Sequence, residues 1–467
     1  MSIFYTPPNS IAGDVIPYYW KGEYHLFHIQ PRPEPGSPWN HMVTRDFVVF
    51  QDWGEAVPPG KQDEQDADIW TGSVFEHNST FHIFYTGHNG SFPAVGKLDQ
   101  VIMHATSPDL RTWTKDPNFV IPPPEDKGYE RSAWRDAFVF RNEEAGEFWM
   151  LVTARRASDI PMRRRGCVAL LASTDLQSWE LRNPLWAPEE CDSHECPDLF
   201  KMGDWWYLVY STYIGKWTTH YRMSKSPNGP WIAPPVDTFD GDGFYAAKTA
   251  GDDKQRYVIA WVSRRPDDKD ENPLAWGGTV IAHEIVQRPD GTLAVKIPEG
   301  LAKHFTKKQE LTPKQAINQW KVNNSSYTVN STSRFSLLGF GMMPETCLVE
   351  ATVTFETGTS SCGLVLRADE EFDSYYQLIL EPSRQRFVFL RDGSAPVQRA
   401  FEQERPLTIH AGEPVKLRIL IDGSVIVIYA NDEVALSGRM YDLASGRLGL
   451  MVTEGKATFA DVSIRTE

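Results

Sequence analysis

Three acidic residues stand where the chain enters an apolar segment. Asp14 lies in "IAGDVIPYYW", Asp136 in "SAWRDAFVF" and Glu195 in "SHECPDLF". Glycoside hydrolysis requires two carboxyl groups beside the scissile bond: one donates a proton to the leaving oxygen, and the other attacks or activates water. A single acid at the entrance to a strand is more often a turn residue or a surface charge. The hydrolase hypothesis therefore depends on a fold that brings the three acids together.

An internal repeat in the first 300 residues supplies such a fold. Aromatic-rich segments recur at intervals of about 50 to 70 residues, near the longer propeller repeats. In a propeller the innermost strands bring side chains from distant sequence positions to one axial pocket. We therefore predict an all-β chain with a five-bladed β-propeller over residues 1–300, and a pair of β-sandwiches is the alternative. The repeated segments are "YHLFHI" from Tyr24, "FHIFYTG" from Phe81, "FWMLVTA" from Phe148, "WWYLVYS" from Trp205 and "RYVIAWV" from Arg256.

The chain changes in character after residue 300. Residues 301–330 are polar and rich in lysine, which indicates a linker that could form a helix. Residues 331–467 contain regularly spaced apolar segments separated by turn residues, and the Asp422-Gly423 pair between two of them is a hairpin signal. This pattern predicts a C-terminal β-sandwich.

Charge and cysteine content restrict the ligand and the compartment. The 467 residues carry a formal net charge of -15, which argues against a nucleic-acid partner because phosphate binding relies on a basic surface. The sequence shows no membrane-spanning segment and no leader pattern. Five cysteines without a C-x-x-C pair indicate reduced thiols, so we predict a cytoplasmic protein. We expect a small carbohydrate as partner and neither a metal nor an organic cofactor, while the oligomeric state is not predicted.

Several aromatic residues near the predicted pocket have two interpretations. The chain has 16 tryptophans, and such rings either line sugar-binding clefts or pack between blades. Trp39, His41, Trp70 and Trp276 are candidates for both roles. His41 is expected to be a hydrogen-bonded structural histidine, since no second ligand lies at metal spacing. The acidic run "DEQDAD" (63–68) lacks the glycine and final glutamate of a calcium loop and is interpreted as a solvated turn.

Seven segments of the chain resemble those of glycoside hydrolase family 32, the invertase, inulinase and levanase group. Together they cover most of the first 300 residues, and "HECPDLF" followed by "GDWWYLVYS" is the most specific match. The tail resembles the C-terminal β-sandwich of the same family. In chain order the matching segments are "KGEYHLFH", "WNHMVTRDF", "WTGSV", "QVIMHATSPDLRTWTK", "WRDAFVF", "HECPDLF" and "DGDGFYAAKT".

The resemblance implies a retaining β-fructofuranosidase that works through a covalent fructosyl-enzyme. Asp14 would be the nucleophile, Asp136 the transition-state stabiliser and Glu195 the general acid/base. Arg135, next to Asp136, could keep that carboxyl ionised. The candidate substrate-binding residues are Trp39, His41, Trp70, Ser73, Arg135, Tyr245, Lys248 and Trp276.

Departures from the family pattern indicate a reshaped sugar pocket. "AGDVIP" stands in place of N-D-P-N-G, and R-D-A ends at Ala137 in place of R-D-P. The glutamine after the first strand is replaced by Ile29 or shifted to Gln30, and Lys248 replaces a glutamine. The alternatives to a fructosidase of small fructosides are an inverting arabinofuranosidase or xylosidase similar to family 43, a fructosyltransferase, and a carbohydrate-binding protein without activity.

Overall fold

The computed structural model describes residues 2–252, 254–331, 335–392 and 399–467. Nearly all regular structure in these ranges is β-strand, which confirms the all-β class. No helix of the described part is long and apolar enough to span a membrane. Its helices are α1 (Glu299–His304) and short 3-10 turns at Phe92–Val95, Glu125–Lys127, Met162–Arg164, Pro266–Asp268 and Pro382–Arg384.

Three four-stranded antiparallel sheets follow one another from the N-terminus. Short hairpins join the first two strands of each sheet. At Lys21-Gly22, for example, φ is positive at both residues (48° and 89°), which is the backbone of a two-residue hairpin turn. The sheets contain β1 (Val15–Trp20), β2 (Glu23–Ile29), β3 (Trp39–Thr44) and β4 (Phe50–Val57); β5 (Asp68–His77), β6 (Thr80–His88), β7 (Gln100–Ser107) and β8 (Thr114–Ile121); and β9 (Tyr129–Asn142), β10 (Glu147–Arg156), β11 (Gly166–Ser173) and β12 (Glu180–Leu181).

A seven-stranded sheet completes the N-terminal part. It consists of two antiparallel groups that a single parallel pair, Thr218 with Phe244, joins edge to edge. The first group is β13 (Glu195–Met202), β14 (Trp205–Thr212) and β15 (Thr218–Ser224), and the second is β16 (Phe244–Gly251), β17 (Arg256–Arg264), β18 (Ala275–Gln287) and β19 (Leu293–Lys296).

The leading strands of these groups contact one another in a ring. Strand β1 packs against β5 and β16, β5 against β9, β9 against β13, and β13 against β16. Tryptophans fill the space between successive sheets: Trp113 contacts Phe27 edge to face at 5.9 Å, and Trp179 contacts Phe84 at 5.6 Å. The first residues of five distant strands therefore come to lie around one axis.

The C-terminal part contains two further antiparallel sheets with an apolar core between them. The Asp422-Gly423 hairpin is confirmed, because Asp422 pairs with Val425 across the turn. One sheet has the order β22-β23-β34-β25-β30-β31-β32 with β20 beside β34, and the other has the order β21-β24-β33-β26-β27-β28-β29. The bounds are β20 (Lys307–Lys308), β21 (Gln315–Ile317), β22 (Lys321–Asn323), β23 (Ser326–Ser331), β24 (Ser336–Met342), β25 (Thr346–Phe355), β26 (Ser361–Ala368), β27 (Tyr376–Glu381), β28 (Arg386–Asp392), β29 (Arg399–Pro406), β30 (Val415–Asp422), β31 (Val425–Ala430), β32 (Val434–Arg439), β33 (Arg447–Thr453) and β34 (Gly455–Thr466).

The segment 301–330 differs from the predicted linker. Only its first residues belong to a helix, α1, and from Lys307 onward it contributes strands to both sandwich sheets. The polar composition that suggested a linker reflects short edge strands with exposed side chains.

The two parts of the chain share a buried interface. The outer faces of β30 and β31 pack on the propeller through an apolar cluster that includes Leu420, Val427 and Tyr429. Asp240 lies in this interface and accepts hydrogen bonds from His283 Nε2 (2.8 Å) and from the Ser437 N–H (2.7 Å). The sandwich therefore packs against and stabilises the sheet that contains β16 and β17.

Candidate active site

The ring of leading strands surrounds a cavity of about 360 Å³. This volume lies in the range of small-ligand pockets. A larger cavity of about 450 Å³ lies between the propeller and the sandwich, and it contains none of the predicted site residues. The smaller cavity is lined by Asp14, Ile29, Ser37, Asp68, Trp70, Thr71, Arg135, Asp136, Glu195, Cys196, Tyr245 and Trp276.

Four of the leading strands bulge where they reach the cavity. In β9, Asp136 and Ala137 face the single residue Val152 of the neighbouring strand, and equivalent shifts interrupt β5, β13 and β16. The bulged residues Asp136, Cys196 and Ala246 have φ between 52° and 60°. A bulge breaks the alternation of a strand and re-aims its side chains. Consecutive residues such as Arg135 and Asp136 can therefore both face the cavity, which strict alternation would forbid.

Asp14 lies in the turn before β1 and is held by three donors. Its Oδ2 accepts a hydrogen bond from the Thr71 hydroxyl (2.5 Å), and its Oδ1 accepts from the indole N–H groups of Trp261 and Trp276 (both 3.2 Å). Burial raises the pKa of Asp14 to about 6; the Thr71 hydrogen bond opposes this rise, and the charge of Asp136 adds to it. Asp14 is thus a fixed carboxylate that ionises near neutral pH.

The sequence before Asp14 fits this arrangement. A Cβ atom on Gly13 would lie 2.2 Å from the Trp276 ring. Only glycine therefore allows the indole to lie flat enough against the backbone to reach Asp14. This close contact accounts for a glycine directly before Asp14 in "AGD".

Asp136 is buried and is anchored by one side-chain hydroxyl and one main-chain N–H. Its Oδ2 accepts hydrogen bonds from the Thr153 hydroxyl and the Cys196 N–H, both at 3.0 Å. Burial raises the pKa of Asp136, while the nearby Arg135 guanidinium opposes that rise. The predicted partnership between Arg135 and Asp136 is looser than expected, since their closest charged atoms are 3.7 Å apart.

Glu195 begins β13 and receives the main contact of Arg135. The Nη2 atom of Arg135 donates to Glu195 Oε1 at 2.5 Å, and the Tyr245 hydroxyl donates to Oε2. Burial and the Glu195 charge raise the pKa of the Tyr245 hydroxyl well above its ordinary value, so it stays a donor. The setting of Glu195 is therefore polar on both oxygens, although apolar strands surround it.

The structure brings together seven of the predicted residues around the cavity, and it places the other four elsewhere. The seven are Asp14, Trp70, Arg135, Asp136, Glu195, Tyr245 and Trp276.

The four predicted residues outside the cavity pack in the core or form hydrogen bonds with backbone groups. They are Trp39, His41, Ser73 and Lys248. Trp39 is fully buried and donates to the Trp70 carbonyl (3.1 Å), while His41 stacks on Phe27 in the core. Ser73 Oγ accepts from the Val139 N–H at 3.0 Å, and Lys248 Nζ donates to a backbone carbonyl, that of residue 197, at 2.9 Å.

Four residues that contact the site were not predicted from the sequence. They are Asp68, Thr71, Ser37 and Trp261. The run 63–68, interpreted as a solvated turn, ends in Asp68, which lines the cavity. The available signal was periodicity: Asp68 lies two residues before Trp70 in β5 and thus on the same face of the strand. In the described residues, no group of three or more His, Cys, Asp or Glu side chains is arranged to hold a metal ion.

Comparisons with known proteins agree with this architecture. The raffinose invertase of Escherichia coli is 26% identical over 477 residues, with 95% of this chain and 90% of that protein covered. The sucrose-6-phosphate hydrolase of Escherichia coli is 23% identical over 477 residues, covering 97% and 91%. The exo-inulinase of Aspergillus awamori superposes with a TM-score of 0.77 at 19% identity, covering 100% of this chain and 98% of the other. This likeness establishes the fold as an N-terminal propeller and a C-terminal sandwich.

Family models match both parts of the chain. The model of the glycosyl hydrolases family 32 N-terminal domain matches residues 6–290, and that of the family 32 C-terminal domain matches residues 308–466. The two matches divide the chain at α1, where the structure passes from propeller to sandwich. The chain therefore belongs to glycoside hydrolase family 32, and it is a glycoside hydrolase.

Proposed function

We propose that the protein is a retaining β-fructofuranosidase of small fructosides. The observation that carries this proposal is the convergence of Asp14, Asp136 and Glu195, which are far apart in sequence, on one cavity of about 360 Å³. Among the relatives, one is named an invertase and another a sucrose-6-phosphate hydrolase, so both are named for hydrolysis of a fructoside. Membership of the same family extends this substrate class to the present chain.

The contacts of the three acids support distinct roles in a two-step displacement. Asp14 is the nucleophile: its oxygen bonds to the anomeric carbon of the fructosyl unit while the glycosidic bond breaks. Glu195 gives its proton to the leaving oxygen. In the second step Glu195 takes a proton from water, the water oxygen bonds to the anomeric carbon, and the ester to Asp14 breaks.

Asp136 acts without forming a bond to the sugar carbon. One of its oxygens is held by Thr153 and the Cys196 N–H. The other oxygen has no hydrogen-bond partner among the described residues, so it can accept hydrogen bonds from sugar hydroxyls while positive charge develops at the anomeric carbon. Fixed groups of this kind stabilise a transition state because they need no reorganisation during the reaction.

We further propose that the propeller has five blades. The support is the ring of contacts among β1, β5, β9, β13 and β16, together with the single residue pair that joins the two halves of the seven-stranded sheet. A cytoplasmic location is likewise proposed, and the support is that all five cysteines are buried free thiols.

The test is to incubate the protein with a panel of fructosides and arabinofuranosides and to follow the first product by NMR. A retaining fructosidase releases β-fructofuranose, whereas an inverting enzyme releases the opposite anomer. A transferase produces longer oligosaccharides at high substrate concentration. We expect Glu195→Gln to lose about 10²- to 10⁴-fold in kcat, the usual contribution of a general acid/base. Inverted product, or no cleavage across the panel, would refute the proposal.

A further inference from the structure

Asp68 is an acidic residue of the cavity wall that the proposed chemistry does not use. Its side chain is 32% exposed and lines the same cavity as the three acids. The Ser37 N–H donates to Oδ1 and the Trp70 indole N–H donates to Oδ2, both at 2.7 Å. Because a carboxylate offers about four acceptor positions, further positions stay open to a ligand in the cavity.

The position of the Asp68 carboxylate is fixed by its surroundings. Asp68 and His88 are paired across β5 and β6. The His88 ring stacks on Trp70 with centroids 3.9 Å apart and an interplanar angle of 19°, and Trp70 in turn holds Asp68. The three side chains form one rigid part of the wall, as a residue that selects substrate requires.

In the part of the chain that the structure describes, the charge of Asp68 is not neutralised by a lysine or arginine. Among the described residues, its only ion-pairing neighbour within 4 Å is His88, whose Nδ1 is 3.7 Å away. Burial acts to raise the pKa of Asp68, but the neighbouring His88 and the hydrogen bonds from the Ser37 N–H and the Trp70 indole outweigh it, so the pKa is lowered. Asp68 is therefore ionised at neutral pH.

The other charges of the cavity do not offset it. Arg135 is the only basic residue among the described lining residues, and its Nη2 atom is committed to Glu195 and Ser193. The lining also contains Asp14 and Asp136. A substrate that enters this cavity thus meets an excess of negative charge. Asp68 contributes to this excess and is not one of the proposed catalytic groups.

We propose that Asp68 is a specificity-determining residue that admits uncharged fructosides and rejects phosphorylated ones. This inference rests on the proposed function. Sugar hydroxyls can donate to the open acceptor positions of the carboxylate, whereas a phosphate dianion offers only acceptors and is repelled by the like charge. The preference belongs to this chain and not to the family, because one relative is named for a phosphorylated substrate.

The experiment is an internal competition. Sucrose and sucrose 6-phosphate are mixed at equal concentration with the protein at pH 8, where a phosphate monoester is a dianion, and NMR follows the consumption of both. The ratio of the two rates is the ratio of the kcat/KM values. Because both substrates meet the same enzyme molecules, partial unfolding lowers both rates by the same factor and leaves their ratio unchanged.

We expect the unaltered protein to prefer sucrose at least tenfold, and Asp68→Asn to reduce this preference by about tenfold. Asp68→Ser removes the same charge and should do the same if Asp68→Asn does not fold. Asp68→Glu keeps the charge and should keep the preference. Asp373→Asn, the same change at an exposed position of the sandwich, should leave the ratio unaltered.

Three results would overturn the inference. The first is equal consumption of the two sugars by the unaltered protein. The second is a ratio in Asp68→Asn within twofold of the original; in these two cases fructoside hydrolysis itself stands. The third is no consumption of either sugar: this refutes the inference alone if another fructoside of the panel is cleaved, and refutes the proposed function as well if none is.

Discussion

The hydrogen bond from Thr71 to Asp14 gives a quantitative test of the nucleophile assignment. The Thr71 hydroxyl donates to Asp14 Oδ2 at 2.5 Å, and it lowers a pKa that burial raises to about 6. Thr71→Val removes the hydroxyl and preserves the shape of the buried side chain. The ionised carboxylate then loses a donor, so its pKa must rise and the acid limb of the pH profile must move to higher pH.

The size of this change follows from the strength of the bond. A hydrogen bond to a charged group contributes about 1.5 to 3 kcal/mol, and about 1.36 kcal/mol corresponds to one pKa unit. The acid limb should therefore move from about 6 to roughly 7 to 8. At pH 6.5 the ionised fraction of Asp14 would fall roughly 3- to 25-fold, whereas at about pH 9 this fraction would change little.

The assay is fructose release, with kcat/KM measured from pH 4.5 to 9, because this parameter reports ionisations of the free enzyme. Thr71→Ser retains a hydroxyl and serves as the matched control; its acid limb should stay close to that of the unaltered protein. An acid limb that does not move in Thr71→Val, or that moves to lower pH, would show that Asp14 is not the group whose ionisation limits activity.

Two further predictions concern stability. The raised pKa of Asp14, about 6 against an ordinary 3.8, means that the folded state binds this proton more tightly, so stability is lost as pH rises from about 4 to 6. Asp14→Asn should therefore have a free energy of unfolding in urea that is higher than that of the unaltered protein by up to about 3 kcal/mol at pH 8. This gain should vanish below pH 4. A lower free energy of unfolding at pH 8 would contradict the prediction. Asp240→Asn should lower the unfolding free energy by about 2 to 4 kcal/mol, because an amide has one accepting oxygen and cannot accept from His283 Nε2 at Oδ2 and from the Ser437 N–H at Oδ1 in the buried interface. Ser437→Ala should cost only about 1 kcal/mol by the same measurement, and equal losses in the two variants would argue against this account.

Local patterns predicted the fold because they follow from local physics. The recurring aromatic segments correspond to strands β2, β6, β10, β14 and β17, which lie inside the sheets and bury both faces. The Asp422-Gly423 turn formed the expected hairpin. The structure of the segment 301–330 could not be predicted in this way. Its polar composition is equally compatible with a linker and with short edge strands that expose their side chains.

Residues at the cavity were harder to predict, since composition cannot distinguish a packing aromatic from one that lines a pocket. Trp39 and Trp70 are both strand tryptophans, yet Trp39 is buried in the core and Trp70 faces the cavity. Ser73 and Lys248 satisfy backbone groups. Asp68 was interpreted as part of a solvated charged run. It is the last residue of that run, and it lies on the same face of β5 as Trp70.

The strand repeat, the family resemblance and the three acids at the strand entrances can all be recognised in the order of the residues. Which of those side chains meet depends on the folded chain. Bulges at Asp136, Cys196 and Ala246 interrupt the alternation that sequence reasoning assumes. Closure of the ring brings Trp261 to Asp14 across 247 positions of the chain. Such contacts depend on how strands far apart in sequence pack, and no local pattern encodes them.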